Sequence, residues 1–507
     1  MTSTCKNTCL ISLILICLAV LLAHIFFFYY VYPYIIADDA FISLRYAQRF
    51  LQGKGLTWND GEYVEGYSNL LWVLFNAALG YLGMALPKAT QMLGVIATLL
   101  TPVVFWMHAR TAKLMGWPLL IGFFAFAVAT PVAIWAVAGM ETPLVMLLFA
   151  AALISCYPLL DTPLAANACQ SGVALALVCP LRPEGPIYTI ATALGLMLFS
   201  TLPFRQRLRM TAILCVIPMI CFLLQLAFRV SYYHQWFPNT VMVKVAFTPE
   251  RLESGFVYIV NALYFFLPLL IYAVINYWMA RKNPAEARTI RYGGFLFTIL
   301  AFLSVAILIN GGDFFPCFRA FLPVFPVIIL LLMHGVRLGL TYAPVKKEWI
   351  FLGYVLACHV WQQWQVDTVQ APEARDWIIN AKAMGLALKE KYGAMHPQPT
   401  IAVFAAGVIP YYSELPALDV FGLTDPYLAT HRNTITRFGK GVIGHELFDG
   451  QYIASQKPDI LVFDIPGSYL CKAYPDECAV ILPHYRPDAL HIPGYDVKIW
   501  VRKDSKL

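Results

Sequence analysis

The sequence predicts a polytopic α-helical membrane protein that continues into a C-terminal soluble α/β domain. Two observations predict this fold class. Of the 507 residues, 60% are hydrophobic and only 13% are charged, a balance far too apolar for an ordinary soluble globule. Long apolar runs alternate with short basic loops up to residue 365, and the composition changes after that point.

The basic loops give the apolar runs an orientation. Four loops rich in Lys and Arg, 109–113, 204–209, 280–291 and 336–347, are predicted to face the cytoplasm. The net charge of +7 is therefore an orientation signal, and nucleic acid is not a predicted partner. A crossing needs about 20 mostly apolar residues. The eleven predicted spans are 10–32, 87–107, 118–136, 143–158, 165–180, 187–203, 210–228, 255–279, 292–309, 321–336 and 349–364.

The first apolar run decides which loops lie outside. Run 10–32 exceeds the ~7–15 residue core of a signal peptide and lacks a small-residue cleavage site, so it is predicted to be an uncleaved first span. The transmembrane domain is then 1–365, with a first extracytoplasmic loop at 36–86. If run 68–84 crossed the membrane, either Asp38 and Asp39 or most of the basic loops would lie on the wrong side. We therefore predict that it is a helix lying in the outer interface.

The C-terminal part, 366–507, combines a helical pattern at 371–393 with short strand-like runs at 400–407, 459–464 and 496–501. This pattern predicts an α/β domain of ordinary size, which the count of spans places on the outer side of the membrane. It also contains two of the twelve cysteines, Cys471 and Cys478. In an oxidising compartment they could form a disulfide, and two free thiols are the equal alternative.

Two adjacent acids, Asp38 and Asp39, follow the first span directly. A simple interpretation is that Asp39 caps the amphipathic segment after it. One cap suffices, however, and a second adjacent carboxylate adds repulsion. A carboxylate pair at a membrane interface is instead typical of a general base or a ligand for a divalent cation such as Mg, Mn or Ca.

Polar side chains later in the first loop lead into an aromatic residue. Glu65, Tyr67 and Asn69 precede Trp72, whose ring could stack on a sugar and form one wall of a binding site. The signal is weak, because Trp is common at membrane interfaces.

Three cations lie in loops on the same predicted face. Arg182 and Lys244 follow spans, and Arg319 precedes one. Together they could hold the phosphate of an activated sugar donor while a carboxylate deprotonates the acceptor hydroxyl. Structural ion pairs, Arg182 with Glu184 or Asp313 with Arg319, are the alternative at even odds.

Several of these strings resemble one family. They are DDAFISLRYAQRFLQGKGLTWNDGEYVEGYSNLLW at 38–72, GMETPL at 139–144, LRPEG at 181–185, YYHQWFPNTVMVK at 232–244, GGDFFPCFRAFLPVFP at 311–326 and GVIPYYSELPALDVFGLTD at 407–425. They are similar to the GT-C superfamily of membrane glycosyltransferases, and within it to the terminal arabinofuranosyltransferases of mycobacterial arabinan and their proteobacterial, motility-associated relatives.

The resemblance implies a bacterial inner-membrane enzyme with its active site and C-terminal domain in the periplasm. Its donor would be a polyprenyl-phosphate sugar such as one of arabinofuranose, and its acceptor a glycan or glycolipid. The acid pair would be catalytic, with or without a metal. No P-loop or Rossmann fingerprint is present, so no nucleotide is expected. Further motif residues with a predicted substrate role are Glu141, Glu184, Tyr233, Asn239, Asp313, Tyr411, Tyr412 and Asp425.

Two other functions compete with this prediction. A flippase for lipid-linked sugars should carry ionisable groups near the bilayer midplane, and the middle of the predicted spans is almost uncharged. A non-catalytic assembly factor for an envelope machine such as the flagellum is the third hypothesis. For the segment Gly422 to Asp425, a turn that packs onto the membrane part is favoured slightly over direct sugar contact.

Overall fold

The fold is taken from a computed structural model that describes residues 3–31, 36–365, 370–435, 437–440, 442–466, 468–492 and 494–507. The first sixteen helices are α1 Ser3–Val31, α2 Asp38–Leu51, α3 Leu70–Tyr81, α4 Leu86–Ala112, α5 Trp117–Ala127, α6 Thr130–Val137, α7 Thr142–Leu159, α8 Ala165–Val178, α9 Gly185–Phe199, α10 Phe204–Tyr233, α11 Asn239–Lys244, α12 Pro249–Phe265, α13 Leu267–Ala280, α14 Ala287–Ile309, α15 Phe325–Tyr342 and α16 Val345–Trp364.

The helices confirm a polytopic membrane protein but not the predicted number of spans. Each of the eleven predicted runs contains α-helix in the described residues. Six helices are long and apolar enough to cross a membrane, and the bent pairs α5–α6 and α12–α13 raise the number to eight. The other three predicted spans coincide with α8 and α9, which are 14 and 15 residues long, and with α16, whose ends are polar. At 1.5 Å per residue, α8 and α9 fall short of a bilayer core of about 30 Å.

The helix predicted to lie in the interface is α3, which is 12 residues long. That is too short to cross a bilayer alone, and its placement in the interface stays a prediction. The central helix is α15, where every residue from Phe325 to Val336 is buried. In contrast, α1 and α10 expose much of their apolar surface, which lipid would cover.

The C-terminal part contains the predicted sheet. Its helices are α17 Gln370–Tyr392, α18 Val408–Ser413, α19 Pro426–Thr430, α20 Gly450–Gln456, α21 Leu470–Ala473 and α22 Pro475–Ile481. Its strands are β1 Ile401–Val403, β2 Ala417–Asp419, β3 Ile460–Val462, β4 Asp464–Ile465, β5 Ser468–Tyr469, β6 Tyr485–Ile492 and β7 Tyr495–Arg502.

Five strands form one mixed sheet in the order β2-β1-β3-β7-β6. Strand β1 pairs in parallel with β2 and β3, and β7 is antiparallel to β3 and β6. Ile401 and Ile460 face each other in register and are fully buried. Cys471 and Cys478 form a disulfide. The predicted boundary at residue 366 lies outside the described residues.

The first loop joins the two parts of the chain. The indole N–H of Trp58 donates to the carbonyl of Ala417 at 2.8 Å. The side-chain amide of Asn59 donates to the same carbonyl and accepts the N–H of Ala417. Arg45 of α2 reaches the carbonyls of Pro410 and Leu415. These contacts fix α2 and loop 52–69 against the C-terminal sheet, and they thereby set the position of the acid pair at the start of α2.

Candidate active site

The acid pair forms the first two residues of α2. The N-cap is Ala37, which has no capping side chain, and its N–H donates to the carbonyl of Ala138 at 3.0 Å. The alternative interpretation of Asp39 as the N-cap is therefore wrong, because the helix begins at Asp38, two residues before the start that an Asp39 cap requires. Both carboxylates still lie at the positive end of the helix dipole.

Asp38 faces the C-terminal part of the chain. Its carboxylate accepts the backbone N–H of Gly407 at 3.1 Å and that of Val408 at 2.7 Å, at the start of α18. Burial raises the pKa of Asp38 to about 7, although the Val408 N–H lowers it. A Cβ on Gly407 would lie 1.9 Å from the carbonyl oxygen of Asp38, so only glycine allows this approach. Asp38 thus joins α2 to α18.

Asp39 faces a group of cations. The ammonium of Lys244 lies 2.9 Å from Oδ2, and the side chain of Asp39 remains 17% exposed. Burial acts to raise the pKa of Asp39, but Lys244 and Arg319 outweigh it and hold the pKa below its ordinary value. No hydrogen bond from the described residues reaches Oδ1. Asp39 is therefore an ionised carboxylate with one oxygen free.

Lys244 and Arg319, the two cations that lower the pKa of Asp39, each lie near an aromatic ring. Lys244 is the last residue of α11, and its ammonium lies 6.0 Å from the ring centre of Phe314. Arg319 forms two hydrogen bonds to Asp313, at 2.7 and 3.0 Å, and its guanidinium lies 4.1 Å from the ring centre of Phe315. The predicted Asp313–Arg319 ion pair is thus present. Arg319 is also one of the cations predicted to hold the phosphate.

Sequence reasoning missed His445, which the C-terminal part contributes to this group. Its ring centre lies 5.3 Å from that of Phe314 and 5.1 Å from that of Phe421. Burial lowers the pKa of His445, while the charge of Asp39 raises it. No spacing or motif in the run around His445 marks it, because its position depends on the docking of the C-terminal part.

Arg182 belongs to a separate polar network. Glu141 accepts from Arg182 at 2.8 Å and from Asn69 at 2.7 Å, and Asn69 accepts from Ser43 at 2.8 Å. Arg182 also pairs with Glu184 at 2.7 Å, as the structural alternative predicted. Its guanidinium is held by two carboxylates, so less of its charge is available to a phosphate than that of Lys244.

Four predicted substrate residues are packed inside the protein. Glu65, Tyr67, Trp72 and Tyr233 are each no more than 3% exposed. Glu65 forms an ion pair with Arg229, which the sequence reasoning missed although it is an Arg at the end of an apolar run. The Tyr67 and Tyr233 hydroxyls lie 2.9 Å apart.

Trp72 does not form a sugar-binding wall in this structure. Its indole N–H donates to Thr90 and to the carbonyl of Gly139, both at 3.1 Å. The ring is 1% exposed, so neither face can stack on a sugar without rearrangement. These contacts instead hold α3 against the turn that carries Glu141.

The remaining predicted residues hold the C-terminal part in place. The amide of Asn239 donates to the carbonyls of Gly422 at 2.8 Å and Asp425 at 2.9 Å, which is the packed turn that the sequence favoured. Asp425 caps α19 and accepts the hydroxyl of Tyr452. Tyr411 and Tyr412 pack against Phe41 of α2, with ring centres 5.3 and 5.6 Å away.

The acid pair does not fit a divalent cation. Among the described residues, no three His, Cys, Asp or Glu side chains converge as a metal site would require. The two carboxylates point to different partners, and Lys244 already lies against Asp39. The ammonium of Lys244 thus lies where a cation bound to Oδ2 of Asp39 would lie.

Comparison with known proteins identifies the fold. Residues 362–499 match a family described only as a domain of unknown function, DUF8728. The chain is 25% identical over 279 residues to a terminal beta-(1->2)-arabinofuranosyltransferase of Mycobacterium tuberculosis. That match spans 50% of this chain and 43% of the relative.

Solved structures align over almost the whole chain. ArnT from Cupriavidus metallidurans bound to undecaprenyl phosphate aligns over 99% of both chains, with a TM-score of 0.56 and 14% identity. The oligosaccharyltransferase AglB from Archaeoglobus fulgidus, in complex with an inhibitory peptide and a dolichol-phosphate, covers 99% of this chain and 75% of its own, with a TM-score of 0.54 and 10% identity. The arabinofuranosyltransferase AftD from Mycobacteria covers 97% of this chain and 40% of its own, with a TM-score of 0.52 and 16% identity.

These likenesses define the class of protein. The chain is a multi-pass membrane protein with the fold of GT-C glycosyltransferases, as its sequence motifs predicted.

Proposed function

We propose that this protein is a GT-C glycosyltransferase that moves one sugar from a polyprenyl phosphate to a glycan or glycolipid outside the cytoplasm. The observation that carries the proposal is the group formed by Asp39, Lys244 and Arg319. It combines an ionised carboxylate that has a free oxygen with two cations suited to a phosphate.

In the proposed reaction, Oδ1 of Asp39 takes the proton of the acceptor hydroxyl. The hydroxyl oxygen bonds to the anomeric carbon, and the bond from that carbon to the phosphate oxygen breaks. The leaving polyprenyl phosphate is stabilised by Lys244 and Arg319. When the phosphate attracts Lys244, Asp39 loses part of the interaction that lowers its pKa, and it becomes a better base.

The lipid donor is supported by two of the similar structures, which contain undecaprenyl phosphate and dolichol-phosphate. The relative from Mycobacterium tuberculosis makes a pentofuranose such as arabinofuranose the first sugar to test. The disulfide between Cys471 and Cys478 supports a C-terminal domain in an oxidising compartment, which for a bacterial inner-membrane protein is the periplasm.

Sealed vesicles that contain the purified protein and a radiolabelled polyprenyl-phosphate arabinose would test the proposal. A glycosyltransferase forms a labelled glycosidic product when an acceptor is supplied on the side of the C-terminal domain. Movement of labelled lipid across the bilayer without a new product would favour the flippase and contradict the proposal. A panel of other lipid-linked sugars would then define the donor.

A further inference from the structure

A polar cavity lies at the end of α2 opposite to the acid pair. It has a volume of about 230 Å³ and lies between the last turns of α2, loop 52–54 and the C-terminal part. Its lining side chains are Arg45, Gln48, Arg49, Gln52, Lys54, Gln398 and Glu414. None of them was singled out as a site residue by the sequence, and none takes part in the group around Asp39.

The most buried cation of this cavity has no carboxylate in contact with it. Arg45 is 2% exposed, and its guanidinium lies 4.5 Å from the ring centre of Trp58. Its hydrogen bonds within the described residues all go to uncharged oxygens, those of Trp58, Pro410, Asn59 and Leu415. These four acceptors and the indole satisfy the guanidinium without neutralising its charge, so Arg45 adds to the positive potential of the cavity.

The other charges of the cavity leave it positive. Arg49 lies 2.6 Å and Lys54 3.5 Å from the same carboxylate oxygen of Asp60, whose side chain is 76% exposed. The one acidic lining residue, Glu414, is paired with Lys389 at 2.7 Å. Lys54 is 45% exposed, so it can turn toward a ligand that enters from solvent.

Three glutamine amides provide the rest of the polar surface. The amide of Gln48 donates to Glu414 at 3.1 Å, and that of Gln398 donates to the carbonyl of Gly393 at 2.9 Å. Their oxygens remain acceptors, and Gln52 is exposed at the rim. Amides that both donate and accept are suited to sugar hydroxyls, whereas the arginines are suited to a carboxylate or phosphate.

The cavity is connected rigidly to the candidate active site. Gln48 is nine residues after Asp39 on one helix, which corresponds to about 14 Å along the axis. An oligosaccharide, but not a single sugar, spans that separation. Gln48 also lies half a turn around the helix from Asp39, and residues 40–47 between them are buried, so a chain with its terminal hydroxyl at Asp39 would pass around α2 to place an inner unit at the cavity.

We propose that this cavity binds an acidic sugar unit, through its carboxylate or phosphate group, as a subsite for the acceptor glycan. The anion would contact Lys54 at the rim, Arg45 and Arg49 would add positive charge from their buried, hydrogen-bonded positions, and the glutamine amides would contact neighbouring hydroxyls. Binding of an acidic sugar is inferred from the cavity itself, while the description of the glycan as an acceptor rests on the proposed function.

Saturation-transfer NMR on the full chain in lipid nanodiscs would test this subsite. The probes are D-glucuronate, D-glucose 6-phosphate and D-glucose at equal millimolar concentrations, so that carboxylate, phosphate and neutral sugars are compared. The variants are Lys54→Glu, which reverses an exposed charge at the rim, Gln52→Ala at the same rim, and Lys506→Glu, a matched charge reversal at an exposed site outside the cavity. Asp39→Asn tests whether binding of the sugar in the cavity is independent of the proposed reaction.

If the cavity is such a subsite, saturation should be transferred from the protein to one or both acidic sugars and much less to glucose. Lys54→Glu should weaken binding about fivefold or more, Gln52→Ala should weaken it less, and Lys506→Glu should leave it unchanged. Asp39→Asn should bind as the wild type does even if it transfers no sugar. Equal signals from glucose, no signal from either acid, or binding that Lys54→Glu leaves intact would each overturn the proposal.

Discussion

Asp38 and Asp39 are adjacent in the sequence but lie in opposite electrostatic environments. Burial shifts Asp38 toward its neutral form, whereas Lys244 and Arg319 keep Asp39 ionised. Two carboxyl groups whose pKa values are separated by their surroundings are suited to different roles. We assign proton transfer to Asp39 and the junction with the C-terminal part to Asp38.

The raised pKa of Asp38 predicts a pH dependence of stability. Its pKa is 3.8 ordinarily and about 7 in the folded chain, so near pH 5 the folded state holds a proton that the unfolded state has released. This contribution is fully present below the ordinary pKa and is lost as the pH rises through the folded value. The unfolding temperature of the wild type should therefore fall between about pH 4 and pH 7 relative to that of Asp38→Asn.

Thermal unfolding in detergent at a series of pH values would measure this difference. Asp504→Asn is the control, because the side chain of Asp504 is 73% exposed and its removal should leave the pH profile of the wild type unchanged. Parallel profiles for the wild type and Asp38→Asn would show that Asp38 does not titrate in this range.

The glycine opposite Asp38 gives a steric prediction. Gly407→Ala should weaken the junction between α2 and α18, because the new Cβ would lie 1.9 Å from a backbone oxygen that cannot rotate away. The expected result is a lower unfolding temperature and faster proteolysis of the C-terminal part. Gly353→Ala is the matched control, since its Cβ would meet nothing within 4 Å. Equal stability of the two variants would contradict the close contact.

The sequence placed some residues of the site and not others, for physical reasons. Asp39, Lys244 and Arg319 could be predicted to meet because charged residues in loops on one side of a membrane have few places to lie. Trp72 and Glu65 could not be distinguished from exposed ligands, because their partners Thr90 and Arg229 are distant in the chain. His445 depends wholly on domain docking and left no local pattern.

At the scale of elements, α11 connects the membrane part to the C-terminal part. Its first residue, Asn239, bonds to the turn after β2, and its last residue, Lys244, bonds to Asp39. A helix of six residues thus fixes a cation of the candidate site relative to the C-terminal sheet. The helical pattern of the long elements was readable from the sequence, whereas the ends of α8 and α9, which fall short of full spans, were not.

Asn239→Leu should loosen this connection. The substitution removes the donor and leaves the buried carbonyl of Gly422 without a partner, at a cost of about 1–3 kcal/mol, while the carbonyl of Asp425 keeps only the N–H of Ala429. We expect more rapid hydrogen exchange in residues 419–430 and a reduced transfer rate. Asn283→Leu, in a loop remote from the C-terminal sheet, is the control. Unchanged exchange in Asn239→Leu would show that the amide contributes little to docking.

At the scale of the whole molecule, the C-terminal part covers the start of α2 and contributes His445 to the candidate site. Its position outside the cytoplasm can be tested through the disulfide. In cells, alkylation of the denatured protein should modify two more thiols after reduction than before, and the difference should vanish in the Cys471→Ser/Cys478→Ser variant. An equal number before and after reduction would place this part in a reducing compartment.

The rate of sugar transfer by Asp39→Asn tests the central claim most directly. Purified wild type, Asp39→Asn and the surface variant Lys506→Glu would be compared in vesicles with the same labelled polyprenyl-phosphate sugar and acceptor. Loss of a general base predicts a rate at least about 10²-fold lower for Asp39→Asn, with normal membrane insertion and a normal rate for Lys506→Glu. A wild-type rate for Asp39→Asn would contradict the assignment of Asp39 as the base.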